Sequence, residues 1–113
     1  MVEVRFAVMP FANELERDLH FAKHGHKLGA TDPLEYERMA DRFLFEAMGI
    51  HTRECVRPRR ASRVRFDFGM HYEDVASIRP QFVRTFYLVE LRLIRRRGGE
   101  AGYFRYECSR IDA

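Results

Sequence analysis

The sequence predicts an α+β fold, with two N-terminal helices packed on one face of an antiparallel β-sheet meander and residues 1–113 forming a single domain. Three observations carry this. Helical spacing with capping residues is confined to the first 49 positions, two-residue alternation takes over from Arg63 onward, and 113 residues suit one hydrophobic core. Helices first and strands after, without βαβ alternation, is the pattern of segregated layers.

Val2 to Met9 alternates apolar and polar residues and is expected to be a first strand. A helix follows, capped by Asn13 with Glu16 three residues on, and carrying Leu15, Leu19 and Ala22 on one face. Gly25 is expected to end it in the left-handed conformation, with Lys23 and His24 in the last turn. The second helix is written most plainly. Asp32 caps it, Pro33 takes the first helical position, Glu35 completes the capping box, and Tyr36, Met39, Ala40, Phe43, Leu44 and Ala47 form a packing stripe up to Gly49.

"VRPRRAS", Val56 to Ser62, reads as a mobile loop. In Arg63–Phe68, Val64, Phe66 and Phe68 alternate with Arg63, Arg65 and Asp67. Tyr72–Ile78 is a weaker strand, and Phe82–Val89 a strong one extending towards Arg95. The glycines at 98, 99 and 102 turn the chain, and "YFRYECSRI" is expected to return as a last strand. In that layout one sheet face is covered by helices and the other is left for function.

The net charge of +3 is unevenly spread. Residues 1–52 hold six Lys+Arg against nine Asp+Glu, a net of −3, and residues 53–113 hold fourteen against eight, a net of +6. All fourteen are arginines, and Arg53, Arg57, Arg59, Arg60, Arg63 and Arg65 are opposed locally only by Glu54. Arginine's planar fork suits phosphate. A solvated basic loop is the alternative reading. The chain has no run of eighteen apolar residues, so no membrane span is expected. "MVEVRFAV" lacks the basic-then-apolar order of a signal peptide. Cys55 and Cys108 form no CxxC motif and could pair, but are expected as reduced thiols of a cytoplasmic protein.

The chemistry concentrates in "DLHFAKHGHKLG", Asp18 to Gly29. His20 and His24 are one turn apart and could share a metal with His26, but no carboxylate completes an H-E-x-x-H arrangement and no cysteine is near, so no metal is assigned. The other reading is metal-independent phosphodiester cleavage. A histidine titrating near neutrality moves the proton, a lysine stabilises charge on the pentacoordinate phosphorus, and RNA supplies its own 2′-hydroxyl nucleophile. A helix C-terminus at this point would favour the protonated imidazole.

"HFAKHGHKLGATDPLEYERMADRFL", followed by "RVRFD" and "VASIRPQFVRTFY", resembles small bacterial and phage RNase domains of the barnase/EndoU/colicin/RelE-like superfamily, from about His20 to Tyr87. The shared features are a K-H-G turn, an E-Y-x-x-A-x-x-F-L helix and an R-T-F/Y strand. The resemblance to the colicin D type of tRNA-cleaving toxin domain implies His24 as acid/base, Lys23 as the phosphate-stabilising lysine, and Thr85 and Tyr87 in place of a serine and a tryptophan. Strand alternation points Thr85 and Tyr87 the same way, opposite Arg84. Where that pattern has a second lysine this chain has Phe21, with His20 to replace its charge in part.

The expectation is therefore a metal-independent endoribonuclease, without cofactor, working by 2′-hydroxyl transesterification. His24, Lys23, Thr85 and Tyr87 are the catalytic candidates, and His20, Arg63, Arg65 and Arg84 the substrate-binding ones. RNA, in particular tRNA, is the expected substrate, and an immunity protein or antitoxin the expected partner of a toxin or prophage-encoded module. The alternative is a non-catalytic nucleic-acid-binding or protein-interaction module on the same fold.

Overall fold

The computed structural model describes residues 11–59, 62–69, 72–74 and 82–111. The expected strand at Val2–Met9, and the part of the expected strand beyond Asp74, lie outside them.

The first helix among the described residues is α1 (Glu14–His20), capped as its sequence requires: the Asn13 side chain accepts from the Glu16 N–H at 2.8 Å. The helix does not stop at Gly25. It widens into one π-helical turn, Phe21–Gly25, then tightens into a 3₁₀ turn, His26–Leu28. Gly25 is helical, and the left-handed residue is Gly29, at φ 84°, whose N–H closes onto the His26 carbonyl. Gly25 is needed for another reason. A β-carbon there would meet the Phe21 ring at 2.3 Å, so the ring packs where a side chain would otherwise stand.

Helix α2 (Pro33–Phe45) begins as expected, with Asp32 accepting from the Glu35 N–H and Pro33 in the first turn. It ends at Phe45 rather than near Gly49, which leaves Ala47 exposed. Tyr36, Ala40 and Leu44 are fully buried, with Met39 and Phe43 packed beside them. They join Phe11, Leu28, Val83 and Phe86 in a first core.

Four antiparallel strands follow in the simple order β1 (Thr52–Val56), β2 (Arg63–Asp67), β3 (Tyr72–Asp74), β4 (Tyr87–Leu88). The α+β class and the meander are as the sequence indicates. Strand β1 has no apolar alternation to announce it. Its pairing instead places Glu54 directly across from Arg65, and Cys55 across from Val64. The expected strand at Phe82–Val89 is largely broken. Val83 pairs with Phe11 in a lone parallel bridge, residues 84–86 are irregular, and only Tyr87–Leu88 joins the sheet. The break lets Phe86 drop into the first core against Tyr36 and Phe43, where the Tyr36 hydroxyl donates to the Phe86 carbonyl. Burying one such ring contributes about 1.5–3 kcal/mol, more than the ~0.5–1.5 kcal/mol net of a ladder hydrogen bond.

The largest correction lies after Val89. The expected continuation and return strand are two helices, α3 (Leu91–Arg96) and α4 (Glu100–Ser109), joined through Gly98 and Gly99. Tyr103, Phe104, Glu107 and Cys108 fall at i, i+1, i+4 and i+5, the inward stripe of a helix. With Ile94 they cover Val64, Phe66 and Phe68 in a second core. The face expected to be open is thus occupied. A second correction joins it: Cys55 and Cys108 are not free thiols but form a disulfide, with α-carbons 6.0 Å apart, tying α4 to β1. The loop after Val56 is also anchored. The Arg57 N–H donates to the Ser62 carbonyl at 2.8 Å, and the Arg57 side chain is 1% exposed. Among the described residues no helix is long and apolar enough to cross a membrane.

Candidate active site

One cleft, of about 620 Å³, gathers side chains from distant parts of the chain. That volume is in the range of small-ligand sites. Glu16, His20, Lys23 and His24 come from the N-terminal helical segment, Arg84, Thr85 and Tyr87 from the broken strand, Arg57 from the end of β1 and Arg110 from the end of α4.

The π turn positions the first group. Its extra residue per turn offsets Lys23 and His24 from a regular helical course, and such single turns recur where a helix must re-aim side chains. His20 sits over Phe11, ring centroids 5.6 Å apart, with its Nε2 3.7 Å from Glu16 and its Nδ1 buried without a hydrogen-bond partner among the described residues. His24 lies 6.1 Å from the His20 ring and 5.2 Å from the Tyr87 ring. The Lys23–His24 turn and the Thr85–Tyr87 segment, some sixty residues apart, therefore face the same space. Arg84 faces it too. Strand alternation had set Arg84 on the other side, but it fails here because residues 84–86 have left the ladder for the sake of Phe86.

Both histidines are shifted towards the neutral form. Burial lowers His24 to about 4, aided by His20, Lys23 and Lys27. Burial likewise lowers His20, against the pull of Glu16 and with Lys23 and Arg84 adding to it. Contrary to expectation, His24 does not end the helical segment, which runs on to Leu28. His26 turns away and packs against Phe21, 5.2 Å between rings. Among the described residues no three His, Cys, Asp or Glu side chains are grouped to hold a metal ion.

Arg63 and Arg65 do not line the cleft, and their guanidinium groups are engaged elsewhere. Both donate to Glu54 Oε1, at 2.6 and 3.1 Å. Arg65 Nη1 also caps the end of α2 through the Phe43 and Glu46 carbonyls, and Arg63 lies 5.0 Å over the Phe45 ring. The fold therefore does not bring this pair, expected to bind substrate, to the cleft where Lys23, His24, Thr85 and Tyr87 meet.

Sequence reasoning missed Glu16 and Arg110, and it named Arg57 only as one of a basic cluster, not as part of this site. Glu16 was within reach, four residues before His20 and hence on its face. Arg57 and Arg110 carry a subtler signal, each standing two residues after a cysteine of the disulfide. They come together only once that bond is known. Arg57 donates through Nη2 to Glu107 Oε2 at 2.7 Å and through Nε to the Glu107 carbonyl at 2.8 Å, and Arg110 Nη1 reaches the same Oε2 at 3.2 Å. Lys23, Arg57, Arg84 and Arg110 give the cleft four cationic side chains against one lining carboxylate, Glu16. Such a cleft favours an anionic ligand. No family model matches the chain, and no curated protein or solved structure matches it either.

Proposed function

We propose that this chain is a metal-independent endoribonuclease. The observation that carries the reading is the meeting of Lys23–His24 with Thr85 and Tyr87 in one cationic cleft of nucleotide size. These are also the segments that resemble the barnase/EndoU/colicin/RelE-like RNases, and the tRNA-cleaving toxin type among them makes tRNA the first substrate to try.

In the proposed step the RNA 2′-oxygen forms a bond to the adjacent phosphorus as the bond from phosphorus to the 5′-oxygen breaks, leaving a cyclic phosphate. Neutral His24 takes the 2′-hydroxyl proton, and the imidazolium so formed returns a proton to the departing 5′-oxygen. Lys23 stabilises the charge that builds on the phosphoryl oxygens. The Thr85 hydroxyl donates to a phosphate oxygen, and the Tyr87 ring, beside His24, stacks a base. Such chemistry acts where RNA is, in the cytoplasm, whereas the Cys55–Cys108 bond is of the kind that forms in oxidising compartments. The reading therefore has the chain oxidised before it meets its substrate. A neutralising partner would present acidic groups to the same cleft.

Cleavage of total tRNA in excess EDTA tests this. The wild type is expected to cut, and His24→Ala to lose at least about 100-fold in rate. RNA left intact from pH 5 to 8 at high protein concentration overturns the reading. A second reading, an RNA-binding module that does not cut, draws on Phe21 standing where the related pattern has a second lysine. It predicts salt-sensitive RNA binding with no cleavage.

A further inference from the structure

The chemistry of the cleft leaves a second basic stretch of the chain unassigned. Residues 90–110 hold six arginines against three glutamates. Glu107 is buried beside Arg57 and Glu90 is taken up by Arg92, so Glu100 is the remaining exposed carboxylate there. Helix α3 sorts its residues by face. Ile94 is buried in the second core with Leu93 packed beside it, and Arg92, Arg95 and Arg96, at i, i+3 and i+4, stand exposed on the opposite side. The guanidinium groups of Arg95, Arg96 and Arg105 make no hydrogen bond or ion pair among the described residues, so they are not absorbed by the scaffold as Arg63 and Arg65 are. The turn into α4 is tightly fixed. A β-carbon on Gly102 would meet the Arg97 carbonyl at 1.9 Å, so α4 packs its backbone against the end of α3. Arg97 is thereby laid over Tyr106, one turn on from Gly102, with its guanidinium carbon 3.4 Å from the ring centroid. Stacking orders the planar guanidinium while Arg97 stays exposed. Arg110, at the cleft, follows Tyr106 by four residues, so the same face of α4 leads from the stack to the cleft, about 6 Å further along.

We infer that this arginine face, formed by Arg95, Arg96, Arg97 and Arg105, is a docking surface for the phosphate backbone of RNA whose scissile bond lies in the cleft. Exposed guanidinium groups at helical spacing attract a polyanion without reading its bases, because each neutralised phosphate releases bound counterions. The stacked Arg97 offers a pre-ordered fork between α3 and the cleft. The inference rests on the ribonuclease reading for the identity of the polyanion, and it concerns affinity rather than chemistry. RNA long enough to reach from the cleft to α3 therefore binds more tightly than a short fragment, while the bond-breaking step is unchanged.

Arg95→Gln combined with Arg96→Gln is the variant of choice, since both side chains are exposed, and thermal melting checks its fold. Arg38→Gln combined with Arg42→Gln, at exposed positions of α2, removes the same charge elsewhere and serves as the control. Binding of non-cleavable 2′-O-methyl oligoribonucleotides, of roughly four and roughly sixteen nucleotides, is read by fluorescence anisotropy over a salt series. The α3 variant is expected to bind the longer RNA about tenfold more weakly, with a salt slope lower by about 1.4, and to bind the shorter RNA as the wild type does. Arg95→Lys combined with Arg96→Lys should keep the slope. An unchanged slope for the longer RNA in the α3 variant overturns the surface. So does an equal loss in the α2 control, which assigns the effect to net charge alone. The two readings separate cleanly. Wild-type tRNA cleavage with an unchanged KM in the α3 variant removes the surface and keeps the nuclease. A selective loss on the longer RNA without any wild-type cleavage keeps the surface and removes the nuclease. No binding of the longer RNA at low salt overturns the surface outright.

Discussion

Arginines from the thirteen residues between Arg53 and Arg65 meet two different fates. Arg63 and Arg65 share Glu54 and are absorbed by the scaffold, Arg65 by capping α2 and Arg63 by lying on Phe45. Arg57 shares Glu107 with Arg110 and remains at the cleft. Each cluster has two guanidinium groups on one carboxylate, yet they differ in what else is within reach. Beside Glu54 there are helix carbonyls for Arg65 and an aromatic face for Arg63, and each cluster keeps one buried guanidinium nitrogen, Arg63 Nη2 or Arg57 Nη1, without a hydrogen-bond partner among the described residues. Beside Glu107 there is an open cleft. Charge density along a sequence therefore says little about binding until the acceptors around each charge are counted.

Breaking the two clusters at their shared carboxylates gives the largest contrast. Glu107→Ala strands the buried Arg57 and is expected to cost about 3–5 kcal/mol. Glu54→Ala, at a partly exposed site with other acceptors at hand, should cost about 1–2 kcal/mol. Urea unfolding of both variants measures this, and equal costs would erase the distinction. Next comes the disulfide, which belongs to the Glu107 side alone. Reduction is expected to lower stability by about 2–4 kcal/mol, read as a fall in the urea midpoint with added reductant. It should affect Glu54→Ala and wild type alike, since the Glu54 cluster lies across the sheet from the bond's helix.

The smallest effect belongs to the histidines. His24 sits at about 4 in the fold against 6.5 for an ordinary histidine, and His20 is shifted the same way. As pH falls, the unfolded chain takes up these protons first, so stability declines from about pH 6.5 towards 4 and is insensitive to these groups above that window. Thermal melts across the range should fall less steeply for His24→Gln than for wild type. A parallel fall would mean the cleft does not hold His24 neutral.

What the chain discloses before folding follows the range of the forces involved. Asn13, Asp32, Pro33 and Glu35 act within four residues, and both helix starts were legible from them. Lys23, His24, Thr85 and Tyr87 could be paired only through a resemblance of motifs, and the fold does bring them to one cleft. The C-terminal helices were not legible. Tyr103, Phe104 and Cys108 favour strands as residue types, and the helical stripe is completed by Glu107, a carboxylate whose burial makes sense only against Arg57, fifty residues earlier. The break at residues 84–86 was hidden for a like reason, because the pocket that draws Phe86 inward is made by Tyr36 and Phe43 of α2.

The bond between Cys55 and Cys108 makes a covalent ring of the C-terminal half, to which the N-terminal half is joined as a linear tail. Thr85, Tyr87 and Arg57 lie within the ring, and Lys23 and His24 on the tail. The two are connected through the exposed stretch at residues 46–51, where Ile50 is 95% exposed. A single scission within the ring leaves every cleft residue on one covalent assembly. A single scission at 46–51 yields two molecules, one carrying Lys23 and His24 and the other Thr85 and Tyr87, held together by non-covalent contacts such as the packing of Phe86 against Tyr36 and Phe43 and the hydrogen bond from Arg65 Nη1 to the Phe43 carbonyl.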